Sequence, residues 1–251
     1  MKAFAKMTAV AVVAFATSVS TAAAQALPAA SDIVAKHVAA IGGKDALSKI
    51  TSMTQKGTME VPTAGLTATM EASSAQNRLL IKQTIPGIGE ILQGYDGTVA
   101  WSTNPMQGPR LLKDKEFEQM KEQADFEGSM VFAADRYSKM ETVGQVDFNG
   151  EKAYKVRFVR KPSGNESIGY FSVASGLQIG SETTQVAEGG KLELTTEIGD
   201  YKQFGPVKMS TKQSTTMGPN KIIMTVQDVI VNSVSATAFA PPADVKALIK
   251  P

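Results

Sequence analysis

From Thr51 onward the chain alternates apolar and polar residues with a period of two, and each run closes on a turn signal. Leu66, Ala68, Met70 and Ala72 interleave with Thr67, Thr69, Glu71 and Ser73, and Leu79, Ile81 and Ile85 stand opposite Arg78, Lys82 and Thr84. Such spacing sends successive side chains to opposite sides of the backbone, which makes each run a half-buried β-strand. The first group of strands is expected at Thr51–Val61, Leu66–Ala75, Arg78–Ile85, Ile88–Tyr95 and Thr98–Thr103, with Asp96-Gly97 as a hairpin turn. A second group follows at Glu141–Phe148, Lys152–Lys161, Glu166–Val173, Leu177–Val186, Lys191–Phe204, Val207–Met217 and Lys221–Val231. Asn149-Gly150, Ser163-Gly164, Ser175-Gly176, Gly189-Gly190 and Gly218-Pro219-Asn220 supply the turns. The apolar phase of the last strand slips from Ile222, Met224 and Val226 to Val229 and Val231, which predicts a β-bulge near Asp228.

About twelve one-sided strands with no hydrophilic linker predict a mainly β domain built on one large antiparallel sheet. Its dry side needs a cover. The cover must come from two short helical stretches. One runs from Ser31 and Asp32, read as caps, through Ile33, Val34, Val38 and Ile41 to Gly42-Gly43, with further turns over Asp45–Ile50. The other begins at Asp114 and carries Phe117, Met120 and Ala124, then Phe126, Met130, Ala133 and Tyr137 at helical spacing. Between the strands and this second stretch, Asn104–Lys113 reads as a loop with an exposed Leu111-Leu112 pair, and Ala243–Ile249 as a short last helix after a loop over Ala236–Pro242. Helices this short do not fill a long curved sheet, so an apolar groove is expected beneath a partial lid.

The first 26 residues read as a cleaved secretory signal. Lys2 and Lys6 precede the apolar run Met7–Val19, which is shorter than a membrane span, and Ala22-Ala23-Ala24 or Ala24-Gln25-Ala26 fits a small-residue cleavage site. Cleavage leaves residues 27–251 as one domain in the periplasm. Those two lysines account for the whole net charge of +2. With no Cys at the cleavage point a lipid anchor is not expected.

Composition narrows the chemistry. No Cys and the single His37 leave thiol nucleophiles, Cys/His zinc sites and His-based triads without their residues. Balanced charge gives no electrostatic footprint for nucleic acid. No nucleophile elbow, S-x-x-K pair or phosphate-binding loop occurs, and neither a catalytic residue nor a cofactor is assigned. Ten methionines lie outside the signal segment. Unbranched thioethers suit surfaces that accept varied apolar shapes, such as alkyl chains, although they also fill ordinary cores.

Several segments together resemble the periplasmic LolA-like group, which includes carriers that sort lipoproteins to the outer membrane. These are Ile41-Gly42-Gly43 with Ala46-Leu47, Pro86-Gly87, Gly94-Tyr95-Asp96-Gly97-Thr98 with Trp101, and Gly108-Pro109-Arg110-Leu111-Leu112. Val143-Gly144, Asn149-Gly150 with Ala153-Tyr154, and Ser175-Gly176-Leu177 continue the likeness, which spans about residues 31–231 and is nearer the group's uncharacterised bacterial members. The resemblance implies an unclosed half-barrel with a helical lid over a cavity that holds acyl chains. None of the carrier's cavity residues transfers by motif.

The reading is therefore a periplasmic carrier for a lipid or a lipidated protein, with an inner- or outer-membrane partner for handover. Groove-lining candidates are Leu66, Met70, Leu79, Ile81, Trp101, Tyr154, Val156, Phe158, Leu192, Leu194, Met209 and Met224. Phe117, Met120, Phe126 and Met130 are the lid candidates, carried on a segment that opens for transfer. For each of these residues, plain core packing is the competing reading. An envelope scaffold that binds protein at a sheet edge, and a hydrolase with an unrecognised carboxylate site, are the alternatives.

Overall fold

A computed structural model describes residues 26–187 and 190–249. Residues 1–25 of the signal segment and Gly189 of the predicted Gly-Gly turn lie outside them. The described strands form one thirteen-stranded antiparallel sheet whose ends are not joined. In chain order they are β1 (Ser52–Val61), β2 (Leu66–Ala75), β3 (Arg78–Ile85), β4 (Gly89–Tyr95), β5 (Ala100–Asn104), β6 (Gly108–Leu111), β7 (Tyr137–Phe148), β8 (Glu151–Arg160), β9 (Glu166–Ser172), β10 (Gln178–Ala187), β11 (Gly190–Phe204), β12 (Val207–Met217) and β13 (Asn220–Val231).

Their order across the sheet is β6-β5-β4-β3-β2-β1-β13-β12-β11-β10-β9-β8-β7. Two meanders therefore meet where β1 pairs with β13. This order fixes the path of the helices. β6 and β7 are consecutive in the chain yet occupy opposite edges, so the connection between them must cross the full width of the sheet. A flat sheet of thirteen strands would measure about 58 Å at about 4.8 Å per spacing. The connection carries α3 (Asp114–Gln123) and α4 (Phe126–Val131) and packs on strands of both halves as it crosses. Met120 meets the cluster of Leu79 and Tyr95, Phe126 meets that of Met53 and Val207, and Phe132 packs with Phe158 and Phe171. A short helical connection spans such a width only over a curled sheet, which makes the helix-covered side concave.

That side is also covered by α1 (Ala30–Ala40), which packs on β7, β8 and β9 near one edge, and by α2 (Lys44–Leu47), which together with Ile41 joins the central cluster of Met53 and Val207. The opposite side is covered at one edge by the C-terminal segment. A 3-10 turn at Ala236–Phe239 packs on β3, where Arg78 lies 5.1 Å over the Phe239 ring, and α5 (Ala243–Lys246) packs on β5 and β6.

The predicted bulge is present. Lys56 pairs with Asp228 and Gly57 with Val226, which leaves Gln227 as the extra residue. Gly57 is required there, because a Cβ at this position would stand 1.9 Å from the Thr225 carbonyl oxygen.

Four expectations need correction. The stretch read as a loop over 104–113 contains β6, a four-residue edge strand. Its Pro109 reads as a breaker, but proline is tolerated on an edge strand whose N–H side faces no neighbour. Leu112 is buried rather than exposed, because it follows β6 into the core cluster under α3. Ser31 and Asp32 lie inside the first turn of α1, whose N-cap is Ala29 without a side-chain bond, and Asp114 likewise lies inside α3 after the N-cap Lys113. The helical run does not reach Tyr137: Phe132 caps α4 in the left-handed region with φ 47°, and Tyr137 opens β7.

Candidate functional site

The strand register decides which predicted groove residues share a side. One row of partners runs Leu79–Ser74–Met53–Val231 across β3, β2, β1 and β13. Two-residue steps along the same side reach Ile81 on β3 and Met70 and Leu66 on β2. Met59, paired with Ala68 and Met224, carries this side onto β13. Met224 pairs with Gln213, which places Met209 on the same side of β12. Farther along, the row Thr215–Thr196–Ser181–Gly169–Val156 brings in Leu192 and Leu194 on β11 and Tyr154 and Phe158 on β8. Eleven of the twelve strand candidates thus lie on the concave side.

Trp101 is the exception. It pairs with Gly94, and its neighbour Ala100 pairs with Tyr95 of the concave side, so the indole faces the other way. There it is 1% exposed and lies against Gly94, where a Cβ would come within 2.4 Å of the ring. It belongs to the side on which the C-terminal segment packs.

The concave residues divide into packed and open groups. Val156, Phe158 and Phe171 are buried against Ala30, Ile33 and Val34 of α1, with Tyr154 and Phe132 alongside. Leu79 is buried with Met120 under α3, with Ile81 and Phe117 packed beside them. Phe126 is buried with Met53 and Val207, and Met130 and Met209 border that cluster. All four lid candidates therefore belong to or border the core clusters. Leu66, Met70, Met224, Leu192 and Leu194 belong to none of the three clusters. Met70 is 8% exposed, and the other four are half-buried. They continue the apolar side past the reach of the helices, across β2, β13 and β11. A cavity of about 270 Å³ adjoins Leu194, Thr183 and Ser167 on this end of the sheet.

The helices are fastened by polar groups. Asp125, between α3 and α4, caps α4 by accepting from the Gly128 N–H at 3.1 Å. Its other oxygen accepts from Arg160 Nη2 of β8 at 2.7 Å and from Arg136 Nε at 3.1 Å. Arg160 Nη2 also donates to the Glu122 carbonyl at 3.3 Å. At the other attachment, Lys36 Nζ donates to the Val173 carbonyl at 2.5 Å, and His37 Nδ1 lies 3.2 Å from the Gln178 N–H and 3.2 Å from the Gly176 carbonyl. The His37 ring stands edge-on to Phe132 and Phe171. Burial among these rings pushes its pKa down to about 4, partly offset by the Gly176 carbonyl. His37 is thus a neutral packing group that ties α1 to the β9–β10 connection.

Sequence patterning missed three contributors. Met59 follows from alternation in β1 once Gly57 is recognised as a bulge position. Phe132 lies where the helical pattern ends and carries no periodic signal. The Asp125–Arg160 pair joins residues far apart in sequence, and only the fold brings them together.

Neither a family model nor a curated relative matches the chain. Solved structures do. A DUF1329 family protein from Desulfovibrio piger superposes with TM-score 0.59 at 10% identity, over 84% of this chain and 97% of that one. A LolA superfamily protein from Nitrosomonas europaea gives TM-score 0.57 at 12% identity, over 86% and 99%. The chain has the LolA-like fold. A putative outer membrane lipoprotein-sorting protein domain from Vibrio parahaemolyticus matches as well, with TM-score 0.52 at 12% identity, over 80% of this chain and 92% of that one. At these identities the likeness is one of architecture: an open curled sheet with helices on its concave side.

Proposed function

We propose that the protein is a periplasmic carrier that holds the acyl chain of a lipid or a lipidated protein along its concave side. The observation that carries this reading is the half-buried set of Leu66, Met224, Leu192 and Leu194, with the buried Met70 beside Leu66 on β2. It continues the core without the helices that cover the rest. From β2 to β11 it spans four strand spacings, about 19 Å, which suits an extended alkyl chain better than a compact ligand. Each methylene taken from water contributes about 0.8 kcal/mol, so a continuous apolar track is what such a ligand needs. Met70, Met224 and Met59 supply adaptable thioether surface.

The α3–α4 segment serves as the lid in this reading. Its hold on β8 depends on the Asp125–Arg160 pair, so handover to a membrane or protein partner proceeds by loosening that attachment. The signal-like N-terminus supports a periplasmic setting for this work, and in this reading the role is binding rather than catalysis.

The test is native mass spectrometry of protein purified from its own periplasm, with lipid extraction. Recovered acyl species that disappear in Met70→Asp and Leu194→Asp but persist in a Lys56→Asp control support the carrier. Repeated recovery of empty protein that takes up no fluorescent fatty acid overturns it.

A further inference from the structure

The proposed acyl track lies toward one end of the sheet. Leu66 opens β2, Leu192 and Leu194 stand near the start of β11 and Met224 near the start of β13, and antiparallel pairing puts these at the same end. The clusters under α2, α3 and α4 gather at the other end. They rest on Met53 and Leu79 near the starts of β1 and β3, on Tyr95 at the close of β4 and on Val207 at the start of β12.

Four turns close the track end from β6 to β12: residues 105–107, 86–88, 62–65 and 218–219, in that order along the rim. Neighbouring turns meet in two places. A Cβ on Gly89 would lie 3.1 Å from the Pro105 ring, and Thr63 Oγ1 donates to Asn220 Oδ1 at 3.1 Å. None of the four turns holds an Asp, Glu, Lys or Arg, and each holds a proline: Pro62, Pro86, Pro105 and Pro219. Proline brings no N–H that must keep its water. At the tips Met106 is 74% exposed and Ile88 39%, so neither is explained by core packing. The flanking Glu60, Glu90 and Lys221 alternate with Met59, Gly89 and Ile222 of the concave side and so face the other way. Arg110 is engaged by Glu116 at 2.7 Å. The opposite rim of the same strands is different, with Arg78, Asp96, Lys113 and Asp114 at or beside its turns. The sheet is thus charged at the end where the helices gather and neutral, with apolar tips, where the track opens.

We propose that this neutral rim docks on the surface of a lipid bilayer, seating Ile88 and Met106 in the interfacial region and holding the open end of the track against the membrane. An anionic surface calls for a basic cluster, which these turns lack. Proline-bearing tips with exposed Ile and Met suit neutral lipid instead. An acyl chain leaving the track at this end passes straight into the bilayer, which favours lipid over a protein as the occupant. Two side chains give a weak and reversible hold, as a shuttling protein needs. The purpose of the contact rests on the carrier reading, whereas the contact itself needs no bound ligand.

The chain has no Cys, so an introduced one is its sole thiol. The full mature chain is labelled with the polarity-sensitive dye NBD at Met106→Cys, at Ile88→Cys or, on the opposite rim, at Asn77→Cys, and mixed with phosphatidylcholine vesicles. The first two probes are expected to brighten and shift to the blue, and the Asn77 probe to stay unchanged. Added salt should leave the response intact, because no ion pair holds the contact. Ile88→Asp combined with Met106→Asp should lower the share of protein that sediments with vesicles at least about tenfold. Its Tm should match the parent's, because both side chains are exposed. No response at either tip, an equal response at Asn77, a response that needs anionic lipid and fades with salt, or a double variant that sediments like the parent would overturn the proposal. Uptake of fluorescent fatty acid, measured without vesicles, keeps the two readings apart. A vesicle response without uptake leaves the docking and removes the carrier, and uptake without a vesicle response does the reverse.

Discussion

Acid should unfasten α1 through His37. The ring is buried and neutral, and its pKa of about 4 compares with about 6.5 in an unfolded chain. Between those values the unfolded chain binds the proton and the folded one does not. The stabilisation is therefore complete above pH 6.5 and is lost as pH falls toward 4. The separation corresponds to about 3 kcal/mol in total, of which about 2 kcal/mol is gone by pH 5. His37 is the sole histidine, so no other imidazole blurs the measurement. Urea unfolding at pH 7.5 and pH 5.0 should show the parent losing about 2 kcal/mol more than His37→Gln, whose side chain does not titrate. Carboxylate contributions are common to both proteins and cancel in the difference. Parallel pH dependence in the two would show that His37 is not buried in its neutral form. A direct NMR titration of the ring provides the second check: a midpoint near 4 agrees, and one near 6.5 contradicts the burial of a neutral His37.

Other perturbations separate packing from openness. Phe158→Ala, which empties a site 2% exposed beneath α1, should cost about 3–5 kcal/mol in denaturant unfolding, whereas Leu194→Ala on the open row should cost under about 1 kcal/mol. Gly57→Ala forces a methyl group into the Thr225 carbonyl and should destabilise by more than about 2 kcal/mol, read as a lowered urea midpoint with unchanged slope. Asp125→Ala removes both the α4 cap and the partner of two arginines. It should cost about 3 kcal/mol, with faster amide exchange concentrated in residues 114–131.

Much of the sheet was legible because alternation is a local signal. β2, β3 and β12 have the predicted bounds, and the slip between Val226 and Val229 announces the bulge at Gln227. The same signal grouped eleven of the twelve strand candidates, since apolar residues at even spacing share a side whatever the strand order. It failed for Trp101, where size and hydrophobicity suggested the groove. Which side of a strand is concave depends on pairing with Gly94 and on where the C-terminal segment returns, and both are long-range facts. β6 was missed because an edge strand needs neither length nor a proline-free backbone. The division between packed and open apolar residues was also hidden. It follows from β6 and β7 lying at opposite edges, which forces the helical connection across the sheet and sets how far its cover extends.

The most direct test of the acyl track is photo-crosslinking with a fatty acid bearing a diazirine along its chain, followed by peptide mapping. Adducts are expected on β2, β11 and β13, centred on Met70, Leu194 and Met224. Adducts on the opposite side around Trp101, or an even scatter over the surface, would contradict it.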